Sequence, residues 1–489
     1  MATLSSALNY ALSGLSVTAT QSALVSRNVS FAGDENYTRK TAEIYTLPGG
    51  APAVSGYGRS MDKQLLEKLL GATSNTAGKQ TVVDALNRMS ATTGDPEADG
   101  SLASLMGKLQ ESLRLYETNP LNATLASSSL EAGRGLATKL NETSGEILAI
   151  RSEADGAMAE SVGRINTLLS QFKVANDSIV RGTGSPGDLS EALDLRDSIL
   201  KQLSEEIGIR TTTRANNDIL IYAEGGAVLF EGSPRAVTMQ ATPIFGAATA
   251  GQTVYIDGVA VTGQAAPMPI SGGKLSSLAK VRDELTFMFQ SQVDQIASGL
   301  IRSFAEREQS IPSLLPDIAG LFIDPAGGLP VAGTPSPGLA ARISINPLAD
   351  PEQGGNPSLI RDGGFGGPAY IYNQQGSVSY QQRIGQLINA LDAPLSFDAG
   401  SGLSASSSLK NFGIQSAAWV EAQRQTAQTA ADSAGVMRVR ASESLLRITG
   451  VNIDQEMAAL LDLEKSYQAS SKVISVIDAM LATLLDAVR

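Results

Sequence analysis

The strongest constraint on the fold is a run of positions, spaced alternately three and four residues apart, that ends the sequence. The run consists of Leu460, Leu463, Tyr467, Ser470, Ile474, Ile477, Leu481, Leu484 and Val488. A helix with this spacing presents one continuous apolar seam, which is typical of a coiled coil. The sequence therefore predicts a long C-terminal helix that pairs along its length. A helix buried in a globular core is the alternative interpretation.

The N-terminal segment is uncharged as far as Arg27. Ser and Thr interrupt its apolar runs and nothing basic precedes them, so the segment resembles neither a signal peptide nor a membrane span. Its leucines recur three or four residues apart, opposite a face rich in Ser and Asn, which predicts an amphipathic helix. We expect the two terminal helices to pair and to leave apolar surface for neighbouring subunits. The predicted assembly interface is the seam together with Leu4, Leu8, Leu12 and Leu15.

Composition restricts the possible functions. The chain contains no Cys and no His, which excludes Ser–His–Asp and Cys–His catalysis and removes common ligands of transition metals. We therefore expect no enzymatic activity, no catalytic residues, no metal site and no cofactor. The formal net charge is −12 and no basic block stands out, which argues against a nucleic acid partner. We also expect no membrane insertion.

The periodicity of the apolar residues changes twice along the chain. It is helical to about residue 210, alternates in a β-strand pattern with hairpin turns at Gly225–Gly226 and Asp257–Gly258, and becomes helical again near residue 272. The predicted fold is mainly α with a small β insert, in which a long helical bundle domain is joined to paired terminal coiled-coil helices. We expect the insert to be dispensable for folding of the bundle. The predicted domains are a terminal coiled-coil assembly domain (1–45 with 440–489), a helical bundle (46–210 with 272–439, including a Pro/Gly-rich loop region at 310–410) and the all-β insert (211–271).

Three motifs resemble ligand-binding sites but lack a required part. Gly182–Gly187 has the letters of a dinucleotide fingerprint, but a helical pattern precedes it instead of a strand. Gly71–Gln80 has the wrong spacing for a phosphate loop and lacks its Ser or Thr. Asp95–Met106 begins like a calcium loop but ends in Met where a bidentate Glu is required. We interpret all three as turns or helix termini without ligands.

The sequence resembles the flagellar axial proteins of the rod, hook and filament. TGVNIDQEMAALLDLEKSYQASSKVISVIDAMLATLLDAV looks like their C-terminus, and SALNYALSGL is similar to their first helix. Within this family, SLASLMGKLQESLRLYETNPLNATLASSSLEAGRGLATKLNETS and SGGKLSSLAKVRDEL resemble the helical domain of hook-associated proteins of the FlgK type. The segment after the first helix departs from the family pattern, and only Tyr37 and Arg39 match it cleanly.

The resemblance implies a structural component of the bacterial flagellum at the junction between hook and filament. Its partners would be further copies of itself in a ring, the hook protein, the second junction protein and flagellin side of the filament, and a type III export chaperone at the C-terminal helix. The family is exported to the extracellular flagellum by the flagellar type III pathway without signal cleavage. The alternatives are a hook or distal-rod protein, or a secreted enzyme carried on an axial scaffold.

Overall fold

The computed structural model describes residues 2–48, 50–93, 99–183 and 188–488. The described residues are mainly helical, with short strands between long helices, which confirms the predicted fold class. The helices are α1 Ala2–Ser30, α2 Lys63–Thr93, α3 Leu102–Thr118, α4 Ala123–Gly182, α5 Ser190–Glu206, α6 Gly273–Lys280, α7 Thr286–Ser303, α8 Leu359–Asp362, α9 Gln382–Asp392, α10 Leu409–Thr449 and α11 Ile453–Val488, with a π-helical turn at Val281–Leu285 between α6 and α7.

The strands form small antiparallel sheets. A hairpin follows α1, two three-stranded sheets (β3-β4-β5 and β6-β7-β8) form the insert, and two-stranded pairs (β9 with β10, β11 with β12) lie in the Pro/Gly-rich region. The strands are β1 Lys40–Thr46, β2 Pro52–Arg59, β3 Ile209–Thr213, β4 Ile219–Ala223, β5 Val228–Phe230, β6 Val237–Thr238, β7 Tyr255–Ile256, β8 Val259–Ala260, β9 Phe322–Ile323, β10 Ser344–Ile345, β11 Pro394–Ser396 and β12 Ser406–Ser408.

Helix α4 is the longest element and contributes to two hydrophobic cores. Its 60 residues give a length of about 90 Å at the usual rise per residue. The first half packs with α3, α7, α9 and the start of α10 in one core, where Leu109, Leu113 and Leu140 are completely buried. The second half packs with α5, the start of α2 and the β insert in a second core. The bundle therefore has two packed cores, which α4 joins together with α2 and α10.

The β insert is part of the second core. Phe230 of β5 and Phe172 of α4 are both completely buried, and their ring centroids lie 4.9 Å apart in an edge-to-face arrangement. Ile221 and Leu229 are buried in the same core. This packing argues against the expectation that the insert is dispensable, because removing it would expose the apolar side of α4 and α5 to water.

The ends of the insert lie side by side. A Cβ on Gly208 would be 2.2 Å from the carbonyl oxygen of Ser271, and one on Gly273 would be 2.6 Å from the carbonyl oxygen of Glu206. Gly273 also has φ of +72°, in the region that favours glycine. The chain therefore leaves and re-enters the bundle through a junction that only glycine fits.

Two predicted domain boundaries need correction. The boundary at residue 46 cuts the β1–β2 hairpin, in which Thr46 pairs with Pro52, so the terminal unit extends to Arg59. At the other end, α10 continues to Thr449, and Leu445 is buried in the second core. The residues 440–449 thus belong to the bundle, and the terminal unit resumes at about Gly450.

Two buried carboxylates anchor the Pro/Gly-rich region to the bundle. Asp294 of α7 accepts hydrogen bonds of 2.8 Å from the backbone amides of both Gly338 and Ala340. Glu306, just beyond α7, accepts hydrogen bonds from the amides of Gly364 at 3.0 Å and Phe365 at 2.9 Å. These contacts order a region that contains little regular secondary structure, since each satisfies backbone donors that would otherwise be buried without a partner.

Truncation of the insert's main anchor should destabilise the whole second core. We expect Phe230→Ala to lower the free energy of unfolding by about 3–5 kcal/mol, because it removes a fully buried ring and leaves a cavity beside Phe172. The matched control is Ile244→Ala in the same insert, where the side chain is 81% exposed. Urea unfolding followed by circular dichroism measures both, and equal effects in the two variants would contradict the shared core.

The buried carboxyl group of Asp294 should make stability depend on pH. Burial raises its pKa to about 6, against the opposing hydrogen bonds from Ala340, Gly338 and Gln290. Between pH of about 4 and 6 the folded state therefore holds a proton that the unfolded state has released, and stability from this group falls as pH rises through that window.

We expect Asp294→Asn to remove this dependence. The free energy of unfolding of the wild type relative to the variant should fall by about 2 kcal/mol from pH 4 to pH 7, measured by urea titration at each pH. The exposed carboxyl group of Asp478 provides the control variant, Asp478→Asn. A difference between wild type and Asp294→Asn that stays constant with pH would contradict the prediction.

Candidate assembly surface

Helices α1 and α11 pack against each other in antiparallel orientation. The Asn28 side-chain amide donates a hydrogen bond of 2.9 Å to Oε2 of Glu456, and a Cβ on Gly14 would lie 3.8 Å from Oγ of Ser470. In both pairs the two residue numbers add up to 484, so both contacts belong to the same antiparallel register. The structure thus brings together the two terminal helices, as the sequence predicted.

The C-terminal seam faces α1 with only part of its apolar surface. Ile477 is buried, and Leu460, Leu463, Ile474 and Leu481 are half-buried. Two further members of the predicted interface are open to solvent, and the side chain of the last, Val488, lies outside the described part of the chain. The exposed members are Tyr467 at 48% and Leu484 at 45%.

The face that α1 turns towards α11 is not the predicted leucine face. Leu4, Leu8 and Leu15 are half-buried and Leu12 is 48% exposed. By helical geometry, the residues on the side of the contacts to α11 lie about a quarter turn away. Apart from Val25 they are small or polar, and they are spaced three and four residues apart: Ala11, Gly14, Thr18, Gln21, Val25 and Asn28.

Helix α11 also carries apolar side chains that are exposed to solvent in the single chain. We refer to these, together with exposed apolar residues of α1 and of the β1–β2 hairpin, as the outer face. Exposed apolar patches of this kind mark sites of protein association. The outer face consists of Leu12, Ile44, Tyr45, Leu47, Tyr57, Met457, Leu461, Val473, Val476, Met480, Leu484 and Leu485.

The start of the helix pair is built around Glu456, whose side chain is completely buried. Its Oε2 accepts the bond from Asn28, and its Oε1 accepts a hydrogen bond of 2.6 Å from Nε of Arg39. Asn28 in turn accepts hydrogen bonds from the Tyr37 hydroxyl at 2.8 Å and from the Lys40 amide at 3.0 Å. Burial raises the pKa of Tyr37 to about 12, which keeps its hydroxyl protonated as a donor.

The same cluster connects the helix pair to the bundle. The ammonium group of the buried Lys40 lies 3.4 Å from Asp194 of α5 and 4.5 Å from the ring centroid of Tyr37. Arg59, at the end of β2, contacts Asp194 at 3.2 Å and Asp197 at 2.6 Å. Partly and fully buried ion pairs therefore join α5 to the segment that follows α1. Tyr37 and Arg39, the two residues of this segment that match the family pattern, both lie in the cluster.

Among the described residues, no group of three acidic side chains is arranged to hold a metal ion. The motif at Gly71–Gln80 lies inside α2, and the ligand-like positions of the other two motifs fall largely outside the described residues. By length and composition alone, one helical stretch between Leu409 and Asp486 is apolar enough to cross a membrane. That stretch includes the helix that pairs with α1 and carries much of the outer face.

Two family profiles match the chain. The profile of the flagellar hook-associated protein FlgK helical domain matches residues 86–310, which include α3 to α7 and the β insert. The profile of the C-terminal region of flagellar basal body rod FlgEFG proteins matches residues 443–487, which cover α11. The chain thus contains a region similar to the helical domain of FlgK hook-associated proteins and a C-terminal region similar to that of flagellar rod proteins.

Curated relatives agree with the family profiles. The chain is 26% identical over 320 residues to flagellar hook-associated protein 1 of Salmonella typhimurium, covering 62% of this chain and 56% of the relative. It is 24% identical over 317 residues to flagellar hook-associated protein 1 of Escherichia coli, with the same coverage of 62% and 56%. The chain thus spans about half the length of the curated FlgK relatives it matches.

A solved structure is also similar in part. The flagellar hook junction protein FlgK from Burkholderia pseudomallei matches with a TM-score of 0.43 and 19% sequence identity, over 53% of this chain and 46% of that chain.

A charge placed in the seam should loosen the helix pair and leave the bundle intact. Ile474 is half-buried and belongs to neither core of the bundle. We therefore expect Ile474→Asp to leave the bundle's melting temperature within about 4 °C of the wild type, since few bundle contacts change. Trypsin should cut faster after Lys465 and Lys472, because the pair opens more often.

The matched control is Val473→Asp, which places the same charge on the exposed neighbour. This control should leave tryptic cleavage of the free monomer unchanged. A loss of cooperative bundle unfolding in Ile474→Asp would instead assign the seam to the core of the fold.

Proposed function

We propose that this protein is a structural component of the bacterial flagellum that forms the junction between hook and filament. Its subunits polymerise through their terminal helices. The observation that carries the proposal is the outer face. It lies on a pair of terminal helices attached to a helical domain that matches FlgK. The predicted interface positions on α1 and α11 contribute to this assembly through Leu12 and Leu484, which are exposed, and through the leucines at the edge of the pair.

The terminal helices have the physical properties of an assembly element. The apolar side chains of the outer face remain in contact with water in the single chain. Burial of apolar surface at about 25 cal/mol per Å² favours packing of such a face against neighbouring subunits. Further copies of the same chain would form a ring, with the hook protein on one side and the second junction protein and flagellin on the other.

The family also suggests how the protein reaches its place. We infer export to the extracellular flagellum through the flagellar type III pathway, without a cleaved signal peptide. Before assembly, a dedicated export chaperone would cover α11, whose exposed side chains offer it an apolar surface. The relatives are named as flagellar hook-associated proteins, which supports a structural role in motility and not an enzymatic one.

The alternatives differ in what they require. The C-terminal region is compatible with a hook or distal-rod protein, because the profile that matches residues 443–487 is that of rod proteins. The helical domain at 86–310 favours the FlgK type over these. A secreted enzyme on an axial scaffold would need a catalytic group, and the sequence offers neither His nor Cys for one.

A deletion strain tests the proposal. We expect the strain to make intact hooks, to shed filament monomers into the medium and to lose swimming, because filament subunits have no junction on which to polymerise. Complementation with the wild-type gene should restore swimming. Complementation with Val476→Asp/Met480→Asp should not, because the two charges interrupt the outer face.

Ile244→Asp serves as the matched control, since it adds a charge at an exposed apolar residue of the insert. It should restore swimming as well as the wild type does. Missing hooks in the deletion strain would favour the hook or rod alternative. Normal filaments in that strain would contradict a junction role altogether.

A further inference from the structure

The pairing of α1 with α11 has a register that apolar packing alone determines only weakly. The seam of α11 repeats every seven residues, and all its members except Tyr467 and Ser470 are Leu, Ile or Val. On α1, one facing track consists of Ala7, Gly14, Gln21 and Asn28, again seven residues apart. If α11 slides along α1 by seven residues, about 10 Å, each residue of the seam that faced this track faces a residue of the track again.

Glu456 breaks this equivalence. It lies four residues before Leu460 and so continues the seam by one further step as a charged member. It is 0% exposed, and each of its oxygens accepts one hydrogen bond, from Asn28 at 2.9 Å and from Arg39 at 2.6 Å. A single polar residue at a core position of a coiled coil is known to specify register.

A slipped pair would leave this carboxylate without its partners. In the observed register the facing residue numbers add up to 484. A shift of one repeat places Glu456 opposite Gln21 in one direction and beyond the end of α1 in the other. A buried carboxylate that loses its hydrogen-bond donors carries a large desolvation penalty. Only the observed register brings both Asn28 and Arg39 to this carboxylate.

We infer that Glu456 is the residue that sets the register of the terminal helix pair, acting through Asn28 and Arg39. It is a positioning residue, and its role concerns pairing within one chain. The inference therefore stands or fails independently of the proposed place in the flagellum. Its consequence for assembly is that every subunit presents the outer face with the same stagger between α1 and α11.

Disulfide trapping tests the inference in the full-length protein. The chain has no native cysteine, so each introduced pair is unique. Ser470→Cys is combined in turn with Gly14→Cys, which reports the observed register, and with Ala7→Cys or Gln21→Cys, which report shifts of one repeat. Trypsin releases α1 residues 1–27 and the peptide 466–472 separately, so mass spectrometry quantifies each cross-link.

In the otherwise unchanged chain, only the Gly14→Cys pair should cross-link efficiently. With Glu456→Leu, which removes the charge and keeps an apolar seam position, the yield of at least one shifted pair should rise about tenfold. The yield of the Gly14→Cys pair should fall. Glu456→Gln should preserve the observed register in most molecules, since its amide oxygen still accepts one of the two hydrogen bonds.

The matched control is Asp478→Leu, which makes the same change at an exposed position of α11 and should leave all yields unchanged. Two results would overturn the inference. One is an unchanged preference for the Gly14→Cys pair in Glu456→Leu. The other is loss of every cross-link with helical content preserved, which would make Glu456 necessary for pairing as such and not for its register.

Discussion

A buried carboxylate, that of Glu456, lies where the terminal helices meet the rest of the molecule. Glu456 requires hydrogen-bond donors because an unpaired buried charge is costly, and α1 and the segment after it provide them through Asn28 and Arg39. The backbone amide of Lys40 donates a hydrogen bond to Asn28, and the ammonium group of Lys40 contacts Asp194 of α5. The orientation of the terminal pair relative to the bundle is therefore determined by polar geometry. The bundle itself is held by apolar burial along α4.

Much of this architecture follows from local periodicity. The stripe at Leu102, Leu109 and Leu113 is the buried face of α3, because a spacing of three and four residues selects one side of a helix. The turn at Asp257–Gly258 is also as predicted. Both residues have positive φ, 49° and 78°, which a two-residue hairpin turn between twisted strands requires. Such features depend on a few neighbouring residues, and a single sequence contains them.

Features that depend on distant partners were not predictable in the same way. The leucines of α1 do not reveal which side of the helix meets α11, because the contact at Gly14 involves a smaller residue on another side. Nothing near Asn28 in the sequence indicates that its partner is Glu456. Similarly, an alternating strand pattern shows that the insert has an apolar side, but not that this side is completed by Phe172 of α4. Rotation of a helix and docking of a sheet are properties of the pair, and one member alone does not determine them.

The contact between Asn28 and Glu456 joins residues 428 positions apart in the chain. Closing so long a loop is entropically unfavourable until the intervening bundle has formed and brought its ends together. Helix α1 precedes the whole bundle in the chain and its partner α11 follows it, so the pairing of α1 depends on folding of everything between them. A chain truncated just before α11 retains the residues of both cores of the bundle and leaves α1 without this partner.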